Sequence, residues 1–299
     1  MKINRILPLE HNFTEVLNSI ALKPKILYFY GKMPENVVGK QGVERPKTVA
    51  IVGARKHTAY GEEMAYKLAY ELARAGVVIV SGLALGIDSV AHRGALEAGG
   101  VTVAVLGTAI DQIYPRQHQR LATKIVAQGG CVMSEYPMGT RFFKQHFLER
   151  NRLIAGLADI VIVVEANERS GSLNTATHAL EQGRELFAVP GDVTRPLSMG
   201  CNRLIQQGAY PCLGTEDILT TLFPLARKKR KQVMLFGDNA EETAVLEALQ
   251  RGERDGENIL TIVAQNLPNF DVAKFNQTIT MLEIKGMVRG LGANQWVLA

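Results

Sequence analysis

The sequence predicts a doubly wound α/β domain with a mostly parallel sheet, followed by a small C-terminal domain of helices and one hairpin. Three observations carry that prediction. From Pro46 onward, short apolar runs alternate with amphipathic stretches in the manner of βαβ units. Ile160-Val161-Ile162-Val163-Val164 is an unbroken β-branched run without polar alternation, the pattern of a strand covered on both faces, which a parallel sheet provides. Four of the predicted strands run directly into small-residue loops, as strands do at the ligand-binding edge of an open sheet.

Taken in order, residues 26–30 (Ile-Leu-Tyr-Phe-Tyr) predict an edge strand, preceded by too few residues for a domain. Further strands are expected at 48–52, 77–81, 102–106, 131–134, 159–165 and 185–189. Between them, residues 62–75 carry Met64, Leu68 and Leu72 at fourfold spacing, one face of a helix. Residues 87–98 form a short Ala-rich helical stretch, and 121–128 and 173–182 complete the set. Right-handed crossovers between these strands give the doubly wound sheet. A helical stretch at 216–223 closes the unit, because Pro224 and the run Arg227-Lys228-Lys229-Arg230-Lys231 follow, and such a run reads as a solvated linker. The expected division is therefore a short segment 1–20, a large domain 21–224, a basic linker 225–232 and a small domain 233–299. In the last, helices at 241–250, 259–265 and 272–285 precede two short strands around Gly292-Ala293-Asn294, the order of a winged helix.

Composition narrows the functional class. The chain has 299 residues, 46% hydrophobic and 21% charged, which describes an ordinary globular protein with a sizeable core. No apolar run approaches a membrane span, and the start lacks the apolar centre of a signal peptide, so a cytoplasmic protein is expected. Cys131, Cys201 and Cys212 are widely spaced and odd in number, suiting neither a zinc site nor a disulfide framework. The net charge of +5 is mild, but half of the ten cations after Pro224 sit in the linker. Outside it, the C-terminal segment has nine acidic against five basic residues.

The candidate chemistry lies in the strand-ending loops: Gly53-Ala54-Arg55, Gly82-Leu83-Ala84-Leu85-Gly86, Gly107-Thr108-Ala109 and Ser170-Gly171-Ser172. Glycine lets backbone amides approach phosphate oxygens, and the start of the helix after Ser170 offers unpaired amides to an anion. Arg55, Lys56, Arg150 and Arg152 stand beside these loops, with Arg150 and Arg152 flanking Asn151 at the front of a short helix. Together they suggest a track of phosphate sites. A glycine at a strand-to-helix turn also serves the turn alone, and the two arginines also fit a solvated helix end. Arg55 has little packing reason to follow a tight turn, so a ligand role is favoured. Asp88 and Ser89 read as caps of the next helix, and His92 as a packed side chain. Glu165 and Glu168 are the only pair suited to hydrolysis, although a strand-end carboxylate more often caps amides.

Several classes are excluded by what is missing. There is no GxGxxG with a following acidic residue, no GxxxxGK[ST], no HExxH or His/Asp cluster, and no Ser/His/Asp order. No cofactor, metal or catalytic residue is assigned.

Together the motifs VAIVGARKHTAYG (49–61), VSGLALGIDSVAHRGALEAGG (80–100), TVAVLGTAIDQIYPRQH (102–118), SEYPMGT (134–140), the long stretch 146–209 that begins HFLERNRLIAGLADIVIVVEANERSGS, and EDIL (216–219) resemble the DNA-processing protein A family (DprA, also called Smf). The resemblance implies an extended Rossmann-like domain that binds single-stranded DNA, forms a homodimer and helps load RecA recombinase during natural transformation, with no catalysis. By motif, it implies that Arg55 and the cations of ERNR hold DNA phosphates, with main-chain contacts from the glycine loops. The DNA-binding candidates are accordingly Gly53, Arg55, Lys56, Gly82, Gly86, Gly107, Thr108, Lys144, Arg150, Asn151, Arg152, Ser170, Gly171 and Ser172. The chain departs from the family pattern at Leu148, where Pro is usual, and at Thr108-Ala109, where Cys-Gly is more common. The family's helical N-terminal module has no counterpart in residues 1–20. A nucleoside-monophosphate phosphoribohydrolase on a related scaffold is the alternative, although its PGGxGTxxE-type loop is missing. The acidic C-terminal segment is expected to contact protein or regulate DNA binding instead of reading duplex, because duplex binding needs phosphate neutralisation.

Overall fold

The computed structural model describes residues 2–35, 45–224 and 237–298. The expected basic linker at 225–232 lies outside the described residues. The chain divides into two compact units, Met1–Leu225 and Ala226–Ala299.

In the first unit the order is β1 (Asn4–Ile6), α1 (Asn12–Glu15), β2 (Leu27–Gly31), β3 (Thr48–Val52), α2 (Ala59–Arg74), β4 (Val78–Ser81) and α3 (Ile87–Glu97). It continues with β5 (Thr102–Leu106), α4 (Gln119–Ala127), β6 (Cys131–Ser134), α5 (Lys144–Leu157), β7 (Ile160–Val163) and α6 (Gly171–Glu181). Then come β8 (Glu185–Ala188), α7 (Pro196–Gln206), β9 (Tyr210–Pro211) and α8 (Thr215–Leu222). Nine strands form one sheet in the order β1-β2-β6-β5-β4-β3-β7-β8-β9, parallel throughout except at β1–β2 and β2–β6. This is the mostly parallel, doubly wound α/β sheet that the sequence predicts.

The unbroken apolar strands are explained by two-sided burial. Along β3, Val49 and Ile51 join a core with Leu68 and Leu72 of α2, Val90 of α3 and Ile218 of α8. Ala50 and Val52, pointing the other way, join Leu153 and Ile154 of α5, Ala176 and Ala179 of α6, and Leu204 of α7. Each strand residue is thus removed from water, and the period-2 signal of a half-exposed strand is absent.

Two parts of the unit go beyond the sequence expectation. Residues 1–20, which the sequence reading sets apart, belong to the large unit: β1 pairs with β2, and Phe13 and Leu17 are fully buried in the α5 core. Their spacing of four, followed by Ile20 three residues on, puts three apolar side chains on that core. The stretch 196–206, to which no element is assigned from sequence, forms α7, with Pro196 in its first turn and Cys201 and Leu204 buried.

Cys131, Cys201 and Cys212 are buried and unpaired. Burial pushes the Cys201 and Cys212 thiols up to about 12, which keeps them protonated and unreactive. No helix among the described residues is long and apolar enough to cross a membrane.

The second unit contains α9 (Ala240–Gln250), α10 (Gly256–Asn266), α11 (Val272–Ile284) and an antiparallel hairpin of β10 (Val288–Gly292) and β11 (Gln295–Leu298). Its core joins Leu246 and Leu249 of α9, Ile259 and Val263 of α10, Phe275, Ile279 and Leu282 of α11, and Val288. Asn239, Asp255 and Asp271 each accept backbone amides at the start of one of these helices.

Candidate functional site

The strand order fixes the location of the site. From β3 the chain builds outward through β4, β5 and β6, then returns to place β7 on the other side of β3. The loops leaving β3 and β7 therefore diverge, and a crevice opens between them, as at the switch point of any doubly wound sheet. A cleft of about 500 Å³ lies there, lined by Gly53, Arg55 and Lys56 after β3, by Asn167 and Arg169 to Ser172 after β7, and by Asp88, Phe147, Arg150 and Asn151.

The β3 loop is fixed by close packing. A Cβ on Gly53 would lie 2.7 Å from Cγ1 of Ile87 and 3.1 Å from the Glu165 carbonyl oxygen, so only glycine fits. The Ala54 carbonyl accepts the Ile87 amide at 3.2 Å, which ties the loop to the start of α3. Arg55 and Lys56 emerge from this anchored turn into solvent. Among the described residues, the side chains of Arg55, Lys56 and Arg169 make no hydrogen bond or ion pair. Three cations without a hydrogen bond or ion pair among the described residues thus line one cleft.

On the β7 side, Ser170 caps α6, accepting the Ser172 amide at 3.4 Å, and its hydroxyl lies 2.8 Å from that of Ser172. The first turn of α6 has no acidic residue, so the positive helix end is left uncompensated. A Cβ on Gly171 would meet nothing within 4 Å, so this glycine borders open space. Asn151 holds the two helices together, its amide donating to the Gly171 carbonyl at 3.3 Å and to Oδ1 of Asn174 at 3.2 Å.

Arg150 differs from its expected setting. The helix begins at Lys144, so Arg150 lies in mid-helix, only 5% exposed, instead of at a polar helix front. Its Nη1 donates to the Gly82 carbonyl at 2.7 Å and to the Val105 carbonyl, and Nε donates to Oδ1 of Asn151 at 3.2 Å. Burial lowers its pKa to about 10; Asp88 opposes that shift and Arg55 adds to it. Asp88 accepts the amides of Gly82 at 3.1 Å and Ala84 at 3.4 Å. Burial raises its pKa, while Arg150 and the two amides act against the rise. Asp88 therefore fastens the loop ahead of α3, whereas Ser89 donates to the Gly86 carbonyl at 2.9 Å. Neither side chain caps the helix in the expected sense, because the N-cap of α3 is Gly86 and Asp88 engages amides upstream of it.

The four glycine loops, alike in sequence, are put to different uses. A Cβ on Gly82 would lie 2.5 Å from Nη1 of Arg150, and Gly86 has a positive φ of 80° with its Cβ direction blocked by the Ala54 carbonyl. Gly107 makes room for Phe147, whose Cδ1 would be 2.8 Å from an added Cβ. Thr108 is buried and its hydroxyl donates to the Gln112 carbonyl. Gly82, Gly86, Gly107 and Thr108 are thus outside the main cleft, in loops shaped by packing, although Gly82 borders a smaller hollow beside it. Lys144 is exposed at the start of α5 but does not line the cleft. Arg152 is held by both oxygens of Glu135 at 2.7 and 2.8 Å, and it too lies outside the lining.

Glu165 accepts the Thr58 amide at 2.9 Å and the Thr58 hydroxyl at 2.5 Å, which is the amide-capping role that sequence favours for a strand-end carboxylate. Glu168 pairs with Arg203 at 3.6 Å. The residue that sequence reasoning missed is Arg169. Its signal is the one that singled out Arg55, an arginine in a strand-ending loop with nothing to pack against.

The family model of DNA recombination-mediator protein A matches residues 4–223. The chain belongs to this family. Protein Smf of Escherichia coli is 49% identical over 174 residues, which are 58% of this chain and 46% of that protein. DNA processing protein DprA of Bacillus subtilis is 44% identical over 206 residues, 69% of this chain and 67% of that one. The match thus spans less than half of the first relative and about two thirds of the second. Among solved structures, DprA of Streptococcus pneumoniae superposes with a TM-score of 0.65 at 39% identity, covering 74% of each chain. DNA processing protein A of Helicobacter pylori, described for its mode of single-stranded DNA binding, gives 0.63 at 31% identity and covers 75% of this chain and 97% of that one.

Proposed function

We propose that this protein binds single-stranded DNA at the switch-point cleft, through backbone phosphates, and acts as a recombination mediator without catalysis of its own. The observation that carries this reading is the convergence of Arg55, Lys56 and Arg169, whose side chains make no hydrogen bond or ion pair among the described residues, on the uncompensated N-terminal end of α6. Unpaired cations and exposed amides attract phosphate irrespective of base sequence. Family membership supports the extension to RecA loading in natural transformation and to a homodimeric protein that works in the cytoplasm. The hydrolytic alternative is disfavoured, because Glu165 is engaged by Thr58 and Glu168 by Arg203.

The second unit is read as a winged helix that contacts protein or regulates DNA binding. Its candidate recognition helix is α11, and the two lysines at that helix are both occupied. Lys274 pairs with Glu241 at 3.3 Å, and Lys285 with Asp238 and Glu242 at 2.7 Å. Phosphate binding there would require breaking these pairs.

The test is a titration of labelled oligo-dT with wild type and an Arg55→Ala, Arg169→Ala double variant at several salt concentrations. Binding that weakens in the variant with a shallower salt dependence supports the assignment. Identical curves remove it.

A further inference from the structure

A cationic ridge stands apart from the cleft, on the exposed side of α4. From Gln112 to Ser134 the chain has no aspartate or glutamate, and within that stretch lie Arg116, Arg120 and Lys124, spaced four residues apart. Arg116 is in the 3-10 turn that leads into α4, and the other two lie on the helix, where their spacing stacks them on one face about 6 Å apart along the axis. All three are exposed, and their side chains make no hydrogen bond or ion pair among the described residues. The opposite face is packed: Ala122 and Ile125 join Leu106 and Val132 in the core, and His118 donates from Nδ1 to the Leu83 carbonyl at 2.8 Å. The ridge is thus firmly mounted. On α2, α3 and α7, by contrast, cations have acidic neighbours. Lys67 of α2 stands four residues from both Glu63 and Glu71, Arg93 of α3 pairs with Glu62 at 3.3 Å, and Arg203 of α7 pairs with Glu168 at 3.6 Å.

We propose that the face of α4 carrying Arg120 and Lys124 is a second phosphate tract, which takes the single strand where it leaves the switch-point cleft past Arg116. The inference rests on the proposed function and adds a length and a direction to the path of the strand. Continuity supports it. Arg55 lines both the cleft and a small hollow beside it, Pro115 lines the same hollow, and Arg116 follows Pro115 in the chain. The composition of the face selects the ligand. No large apolar side chain is exposed between Tyr114 and Met138, so the ridge lacks the apolar centre on which a protein interface is built. Exposed cations beside Gln119 and Thr123 suit a phosphate backbone, which is held by charge and hydrogen-bonding side chains without any reading of the bases.

The experiment compares wild type with an Arg120→Ala, Lys124→Ala double variant and with a charge-preserving Arg120→Lys, Lys124→Arg double variant. Each is titrated with oligo-dT of about 6 and of about 16 nucleotides, at several salt concentrations. The short strand fits the cleft alone, whereas the long one also reaches α4. Wild type should bind the long strand more tightly and with a steeper salt dependence. The alanine variant should lose about tenfold on the long strand, with its slope of log affinity against log salt lowered by about 1.4. It should bind the short strand as wild type does, which also shows it to be folded, and the charge-preserving variant should match wild type on both strands. Wild-type salt slopes that are equal for the two lengths overturn the tract while leaving the phosphate cleft standing. So does an alanine variant that binds the long strand as wild type does, an acidic protein then being the occupant of the ridge, or one that loses equally on both strands, since its effect then lies in the cleft. Failure of wild type to bind either strand overturns both readings.

Discussion

The guanidinium of Arg150 donates to the carbonyl oxygen of Gly82 at 2.7 Å, across 68 residues of sequence, and leaves no room for a side chain at Gly82. This contact joins α5 to the loop after β4, and Asp88 completes it by holding the Gly82 amide. Arg150→Ala would take a buried donor away from the Gly82 and Val105 carbonyls and remove the cation that faces Asp88. Losing one member of such a buried network typically costs about 3–5 kcal/mol. The expected outcome is a fall of that order in unfolding free energy, measured by urea denaturation, with DNA binding lost as a consequence of the damaged loop.

Arg55 and Arg169 should separate binding from stability. Both are exposed and make no internal hydrogen bond or ion pair among the described residues. Exposed substitutions of this kind change stability by less than about 0.5 kcal/mol. Arg55→Ala and Arg169→Ala should therefore unfold like wild type, while each lowers the slope of log affinity against log salt by about 0.7 for single strands. An unfolding midpoint that drops with either substitution contradicts this assignment.

The sheet was legible because its strands are β-branched runs whose two faces are both buried, so Thr48-Val49-Ala50-Ile51-Val52 admits little else. The site was only partly legible. Four glycine loops look equivalent along the chain, and only the third dimension shows Ile87 against Gly53, Arg150 against Gly82, Phe147 against Gly107 and open space at Gly171. Arg150 was misplaced for the same reason: Glu-Arg-Asn-Arg reads as a solvated helix end until the helix is seen to begin at Lys144 and to cross the ends of β4 and β5. Sequence records which residues could bind an anion, whereas packing decides which are left unpaired to do so.

Glycine replacements test that division directly. At Gly171 an added methyl meets no protein atom within 4 Å, and the residue lies in the first turn of α6, where alanine is well tolerated. Gly171→Ala should keep wild-type stability and weaken oligo-dT binding, because the methyl occupies the space a phosphate would enter. Gly53→Ala should instead lower stability, since its Cβ would lie 2.7 Å from Ile87, and any loss of binding should follow from the displaced turn. Overpacking at a site so enclosed costs about 1–3 kcal/mol. Thermal melts and binding curves on both variants give the comparison.

His92 supplies a pH dependence whose direction follows from its surroundings. It is fully buried on α3, with Nδ1 at 2.7 Å from the Thr102 hydroxyl and Nε2 without a partner among the described residues. Burial lowers its pKa to about 3 from an ordinary 6.5, and the nearby His118 and Arg150 add to the effect. The folded protein therefore keeps His92 neutral at pH values where the unfolded chain takes up a proton. Its contribution to stability is fully present above pH 6.5 and is lost as the pH falls from there toward 3. Between pH 7 and pH 5, above the range where most carboxylates titrate, the loss should be about 2 kcal/mol. Urea unfolding at the two pH values measures it, and His92→Gln, which has no proton to gain, should show a difference smaller by about that amount. Equal pH dependence in the variant and wild type would falsify the assignment of His92 as a buried neutral group.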